Sequence, residues 1–152
     1  MIEFRIDDLS GAAIQALVAR HLEGMYANSP ACSVHALDVS KLRQPGVTFW
    51  SAWEGGELAG MGALKQIDAQ RGEIKSMRVA DPWLGKGVGR AILEHIVGEA
   101  KRAGMTSLWL ETGSTPAFKP ALKLYESAGF EYCGPFDGYT EDPFSLFMTR
   151  TI

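Results

Sequence analysis

Cysteine is scarce in this chain, with only Cys32 and Cys133 among 152 residues. Their separation suits neither a metal-ligand pair nor a disulfide scaffold, so no metal site and no stapled fold are expected. Cys133 falls in Phe130-Glu131-Tyr132-Cys133, a strand-like stretch where a thiol serves as a small buried hydrophobe, and no histidine lies near it in sequence to activate it. Long apolar runs are missing too. None approaches the ~20 residues needed to cross a bilayer, and Met1-Ile2-Glu3-Phe4-Arg5 lacks the basic-then-apolar order of a signal peptide. The expectation is a cytoplasmic protein with no membrane partner. Positive charge is not in excess: the formal net charge is −3, and no window holds the basic cluster that a nucleic-acid surface requires. Nucleic acid is therefore not an expected partner. Internal repeats, low-complexity segments and linkers are also lacking. Residues 1–152, 46% of them hydrophobic, read as one domain with enough apolar material for a core.

What the chain does have is a glycine-rich turn. In Met77-Arg78-Val79-Ala80-Asp81-Pro82-Trp83-Leu84-Gly85-Lys86-Gly87-Val88-Gly89-Arg90 an extended segment breaks at Pro82, turns through three alternating glycines and enters a helix near Val88. Glycine lets the backbone approach a ligand closely, and the first N–H groups of a helix have no intrahelical partners. The turn is therefore an anion site suited to a phosphorylated ligand. A Walker-type loop is excluded, because Gly85-Lys86 is followed by Gly87 where Ser or Thr is needed. A dinucleotide fold fits poorly as well, since the turn follows a long antiparallel-looking run instead of opening the first strand–helix–strand unit.

Around that turn the hydrophobic pattern predicts an alternation of strands and helices. Ile2 to Ile6 alternates as a short strand, and Asp8 or Ser10 can cap a helix carrying Ile14, Leu17, Val18, Leu22 and Met25, with His21 beside that stripe as a structural residue. Residues 31–45 read as a loop with a short helix near Asp38 to Arg43. Residues 47–53 and 58–65 form a hairpin about Glu54-Gly55-Gly56-Glu57, and residues 73–79 add a third antiparallel strand. The helix after the glycine turn carries Ile92, Ile96, Val97 and Ala100 on its apolar face, places His95 at the rim and stops at Gly104. A strand over 106–112, a helix opened by Pro116 and two strands over 130–134 and 145–149 complete the chain. The fold class is α/β, with a mixed, mostly antiparallel central sheet flanked by helices.

That order, with Leu84-Gly85-Lys86-Gly87-Val88-Gly89 and Leu124-Tyr125-Glu126-Ser127-Ala128-Gly129-Phe130 as its two motifs, resembles the GNAT superfamily of acyl-CoA N-acyltransferases over almost the whole chain. The resemblance implies that the backbone amides of Leu84, Gly85, Lys86, Gly87, Val88 and Gly89, with Arg90 beside them, hold the pyrophosphate of coenzyme A. It also implies that the strand carrying Met77, Arg78 and Val79 splays from the strand ending at Glu111, that its free edge pairs with the pantetheine arm, and that an amide near Met77 or Arg78 faces the thioester oxygen. Two positions depart from the family pattern. Leu84 stands where Gln or Arg is usual, leaving Lys86 and Arg90 as polar substitutes, and Phe118 stands where many members carry Asn. The segments 73–78 and 110–114 look like those of a bacterial subgroup whose substrates are mostly uncertain. Dimers are common among similar proteins, so a homodimer through an exposed strand or helix face is the expected association.

Acyl transfer from a thioester to an amine needs a held donor, a neutral amine, a stabilised oxyanion and a proton for the leaving thiolate. Tyr125 matches the family's general-acid position, and a phenol with a pKa near ~10 is protonated at neutral pH. Glu73 matches the general base of several members, and regular alternation would put Glu73, Lys75 and Met77 on one face. Glu111 competes with it. Tyr139, Glu141 and Asp142, with Tyr26, His35 and Trp50, are candidate walls of an acceptor pocket whose acids and aromatics would suit a cationic amine. The expected activity is transfer of an acetyl group from acetyl-CoA to a primary amine of a small molecule by direct attack, without a metal. Acetylation of a protein N-terminus or lysine is the alternative within the fold, and a non-catalytic acyl-CoA-binding sensor module is the alternative outside catalysis.

Overall fold

A computed structural model describes all of residues 1–152. The strands are β1 (Glu3–Ile6), β2 (Val47–Glu54), β3 (Glu57–Gln66), β4 (Arg71–Val79), β5 (Ser107–Gly113), β6 (Glu131–Cys133) and β7 (Ser145–Thr151), and they form one sheet in the order β1-β2-β3-β4-β5-β7-β6. Every neighbouring pair is antiparallel except β4 with β5. The helices are α1 (Ala12–Asn28), α2 (Val39–Leu42), α3 (Val88–Arg102) and α4 (Lys119–Ser127). The predicted element order and sheet class are those observed, with ends moved by a residue or two, and the third strand begins at Arg71 instead of Glu73.

Both faces of the sheet are covered. On one, α3 and α4 bury Ile92, Leu93, Ile96 and Tyr125 against Ile74, Leu108, Leu110 and Met148; on the other, Ile14, Leu17 and Val18 of α1 and Leu42 of α2 meet Phe49, Met61 and Ala63. The α1 stripe is the predicted one, but its start differs. Gly11 is the N-cap and no side chain caps the helix, because Asp7 and Asp8 instead accept the N–H groups of Leu9 and Ser10 in the preceding turn. The short helix predicted near Asp38 is α2, with the Asp38 carboxylate accepting the Lys41 N–H at 3.0 Å. His95, expected at a wet rim, is instead stacked on Phe4 with ring centroids 4.1 Å apart and meets the edge of Trp50; desolvation lowers its pKa.

Two irregularities open the middle of the sheet. The parallel β4–β5 ladder contains only Arg71↔Ser107, Gly72↔Leu108 and Glu73↔Trp109, so beyond Glu73 the edge of β4 that faces β5 has no strand partner. On its other edge β4 carries a bulge: Lys75 pairs with Ala63 and Arg78 with Met61, which leaves three steps on β4 opposite two on β3. Ser76 sits in the bulge with φ +53. A bulge bends its strand and changes which face the following side chains take. Regular alternation, which would place Met77 with Glu73 and Lys75, is therefore corrected. Met77 packs into the α3 side of the core, and Arg78, paired with the α1-facing Met61, takes the α1 face alongside Glu73 and Lys75.

Candidate active site

The V between β4 and β5 is a cleft of about 730 Å³ that runs through the sheet, reaching from Leu124 and Tyr125 of α4 on one side to Gly24, Met25 and Asn28 of α1 on the other. Met77, Arg78, Val79, Leu84, Gly85, Gly87, Gly89, Arg90, Glu73, Glu111 and Tyr125 all line it. The sequence motifs thus converge on one site, although they are up to 52 positions apart in the chain.

At the α3 end, Gly85 and Gly87 adopt φ +75 and +83, the left-handed region that glycine occupies without a Cβ penalty. The turn they build leaves its donors free. No backbone carbonyl accepts the N–H of Gly85, Lys86 or Gly87, and the first bond of α3 runs from the Ala91 N–H to the Gly87 carbonyl at 3.1 Å. Amides followed by the positive end of a helix dipole form a cradle for a diphosphate. The two expected polar helpers each have a partner within the protein. The Lys86 ammonium lies over the Trp83 ring, 5.2 Å from its centroid and away from the cleft, while the Arg90 guanidinium donates to the Ser127 hydroxyl at 2.7 Å. Val88 contributes backbone only, since its side chain is core. Leu84 stays 62% exposed at the rim, where it presents an apolar surface in place of the usual Gln or Arg. Phe118 has a packing explanation: its ring occupies the space that a Cβ on Gly113 would fill.

Tyr125 is buried in the wall of α4, and burial pushes its hydroxyl up to about 12. The phenol is therefore held protonated. Opposite it, on the α1 face, Glu73 is the last residue paired across the V and is 1% exposed. Its Oε2 accepts the Tyr139 hydroxyl at 2.6 Å and the Lys75 ammonium at 3.1 Å, and Lys75 also donates to the Tyr139 oxygen at 2.8 Å. Burial and the adjacent Glu73 charge raise the Tyr139 hydroxyl strongly, which keeps it a donor. Glu111 stands on β5 across the V. Burial raises its carboxyl from its ordinary value, with Ser145, His35 and Lys75 pulling the other way.

The expected acceptor walls divide. His35 lines the cleft and meets Tyr139 edge-on with centroids 5.0 Å apart. Asp142 instead accepts the Ser33 hydroxyl at 2.6 Å and the Phe144 N–H at 2.8 Å, fixing the loop before β7. Trp50 is core, Tyr26 is exposed outside the cleft, and Glu141 also lies outside it. Arg20 and His21 of α1 line the cleft without having been expected there. Burial, and then the Arg78 charge, lowers the His21 pKa to about 4, so the imidazole is neutral at physiological pH. One signal could have placed Arg78: apolar residues on β4 fall at Ile74, Met77 and Val79, and the odd step of three marks an inserted residue in a period of two.

The model of the acetyltransferase (GNAT) family matches residues 12–130, and the chain belongs to that family. It is 54% identical to the uncharacterized N-acetyltransferase YsnE of Bacillus subtilis, over 99% of this chain and 100% of that one. It is also 39% identical to a protein of Azospirillum brasilense named an IAA acetyltransferase, over 97% and 95% of the two chains. Among solved structures, an acyl-CoA N-acyltransferase from Klebsiella pneumoniae shares the fold with a TM-score of 0.81 at 24% identity, over 99% of this chain and 97% of that one. A GNAT acetyltransferase of Elizabethkingia anophelis with acetyl-CoA bound shares it with a TM-score of 0.72 at 17% identity, over 99% and 98%.

Proposed function

We propose that this enzyme transfers an acetyl group from acetyl-CoA to the primary amine of a small molecule by direct attack. The observation that carries the reading is the three-residue β4–β5 ladder, because the V beyond it brings free loop amides, an unpaired strand edge, a protonated phenol and two carboxylates into one cleft. In this reading the loop amides hold the donor's pyrophosphate, the free edge of β4 near Met77 and Arg78 guides the pantetheine arm, and an amide there polarises the thioester carbonyl. The amine nitrogen attacks the carbonyl carbon, the carbon–sulfur bond breaks, the Tyr125 hydroxyl gives its proton to the departing sulfur, and the proton that the nitrogen sheds as the amide forms passes through water to the Tyr125 oxygen and restores the phenol. The surroundings that raise the phenol also disfavour a bare thiolate, so the two effects oppose each other.

The amine arrives mostly protonated and must lose that proton before attack. Both donors to Glu73 converge on Oε2, whereas Glu111 is raised in pKa by burial. This supports Glu111 as the base, directly or through one water, and Glu73 as the buried acid that anchors Lys75 and Tyr139 at the apex of the V. Free CoA released from acetyl-CoA, followed against a panel of small primary amines with the acetylated product identified by mass, tests the reading. Steady release with at least one amine is expected. Binding of acetyl-CoA with no release against any amine would replace it with a sensor.

A further inference from the structure

Arg78 has a place in the cleft that donor binding does not use. Its backbone lies in the strand edge assigned to the pantetheine arm, but the bulge at Ser76 turns its side chain to the α1 face. There it lines the cleft half-buried and forms no ion pair, the neighbouring Arg20 having taken Asp81 at 3.3 Å. Desolvation and the Arg20 charge both lower its pKa, while Asp81 and Glu23 pull the other way without reaching it. A guanidinium that is partly stripped of water and unpaired is an unfavourable element of a free enzyme, and a ligand carboxylate relieves it.

The helix opposite is shaped around the same group. Gly24 lies within α1, where glycine costs about 1 kcal/mol relative to alanine. A Cβ there would come within 2.8 Å of the Arg78 Nη1 and 3.4 Å of the Arg20 Nη1. The residue gives up helix stability and leaves room for two cations. His21 beside them is neutral at physiological pH and adds no third charge. The acids of the cleft lie elsewhere, Glu73 paired with Lys75 and Glu111 without an ion pair, so the arginine end favours a carboxylate and the Glu111 end an amine.

We propose that the acceptor is an amine that also carries a carboxylate, a small amino acid, whose carboxylate pairs with Arg78 under Gly24 while its amine faces the thioester carbon. The assignment rests on the acetyl-transfer reading above and narrows its substrate class. In the acetyl-transfer reading the attacked carbonyl lies beside the Met77 and Arg78 amides, one arginine side-chain length from the guanidinium. That separation admits α-amino acids and short ω-amino acids. A planar guanidinium binds a carboxylate with two parallel hydrogen bonds, which an amide cannot match.

The test uses matched pairs, each amino acid beside its own carboxamide, because any effect on donor binding is common to both members and cancels in their ratio. The wild-type enzyme should favour the acid by roughly 10- to 100-fold in kcat/KM. Arg78→Gln should bring the ratio near one, with most of the change in KM for the acid, and Arg78→Lys should restore part of it. Gly24→Ala should also lower the ratio, since the far end of a flexible arginine yields easily and the helix itself gains stability. Calorimetric titration of the same pairs into the enzyme with CoA reads recognition without turnover. Binding that discriminates acid from amide without acetyl transfer would keep the carboxylate site and overturn the acetyl-transfer reading. Turnover with equal ratios in wild type and Arg78→Gln would do the reverse, and neither turnover nor binding by any pair would overturn both.

Discussion

The two sides of the cleft are built from different materials. On the α3–α4 side the groups assigned above to the donor are backbone amides in one unbroken turn, Gly85 to Arg90, together with Tyr125 on the next helix. On the α1 side they are side chains drawn from separate elements: Arg20 from α1, where Gly24 leaves room beside it, Glu73, Lys75 and Arg78 from β4, Glu111 from β5, and Tyr139 from the loop before β7. Tyr125 apart, the first side needs only that a helix begin after glycines, so its amide turn is insensitive to most side-chain changes and suited to a donor that is the same for many enzymes. The second depends on tertiary placement and charge, and can be rebuilt one residue at a time for a different acceptor.

Removing one proton on the donor side should have the largest effect. Tyr125→Phe keeps the ring that packs edge-on against Phe130, so turnover should fall roughly 10²-fold or more while acetyl-CoA affinity, measured by calorimetry, changes little. Near-normal turnover would reduce Tyr125 to a packing residue and leave the donor side with binding alone.

The two carboxylates sharpen the acceptor side. With Glu111 as base, Glu111→Gln should lose most rate where the amine is charged and regain part of it as pH rises, because solvent then deprotonates the amine. Glu73→Gln should lose rate without such recovery. A pH–rate profile with the opposite pattern would return the role to Glu73. Stability supplies a second reading. A carboxyl whose folded pKa is raised stabilises the fold below its unfolded pKa, near ~4.3, and loses that contribution as pH rises through the folded value. Glutamine mimics the protonated form, so Glu111→Gln should unfold at a higher temperature than wild type at neutral pH, and the gap should close under acid.

A bulky residue in the turn tests the insensitivity claimed for the donor side. Gly87 has open space around its Cβ position but φ +83. Gly87→Val should cost roughly 1–2 kcal/mol of stability through backbone strain, yet lower acetyl-CoA affinity by more than about tenfold by blocking the amides. Gly89 gives a less clean test than Gly87, because a Cβ there would press on Leu124 at 3.3 Å. The smallest effect should come from Tyr139→Phe. It removes one of two donors to Glu73 while Lys75 remains, so denaturant unfolding should show a loss of roughly 1–2 kcal/mol. A larger loss would mean that Tyr139 alone keeps the buried charge tolerable.

What the sequence determined by itself was whatever depends on neighbours along the chain. The stripe of α1, the hairpin about Gly55-Gly56, the helix after the glycine turn and the unpaired amides at its start all follow from local periodicity, from φ preferences and from orphan N–H groups, and each stands where it was expected. Tertiary structure alone decided the rest. The V exists because the β4–β5 ladder stops at Glu73, a fact about two segments separated by a helix. Glu73 proved buried because Tyr139 and Lys75 close over it, and Trp50 proved to be core because His95 and the α3 face cover it. The side chain of Arg78 reached the acceptor face through one inserted residue at Ser76. The parity of a strand is a local property until a bulge changes it, and the face each side chain takes is then fixed by pairing with a partner strand that the local pattern does not contain.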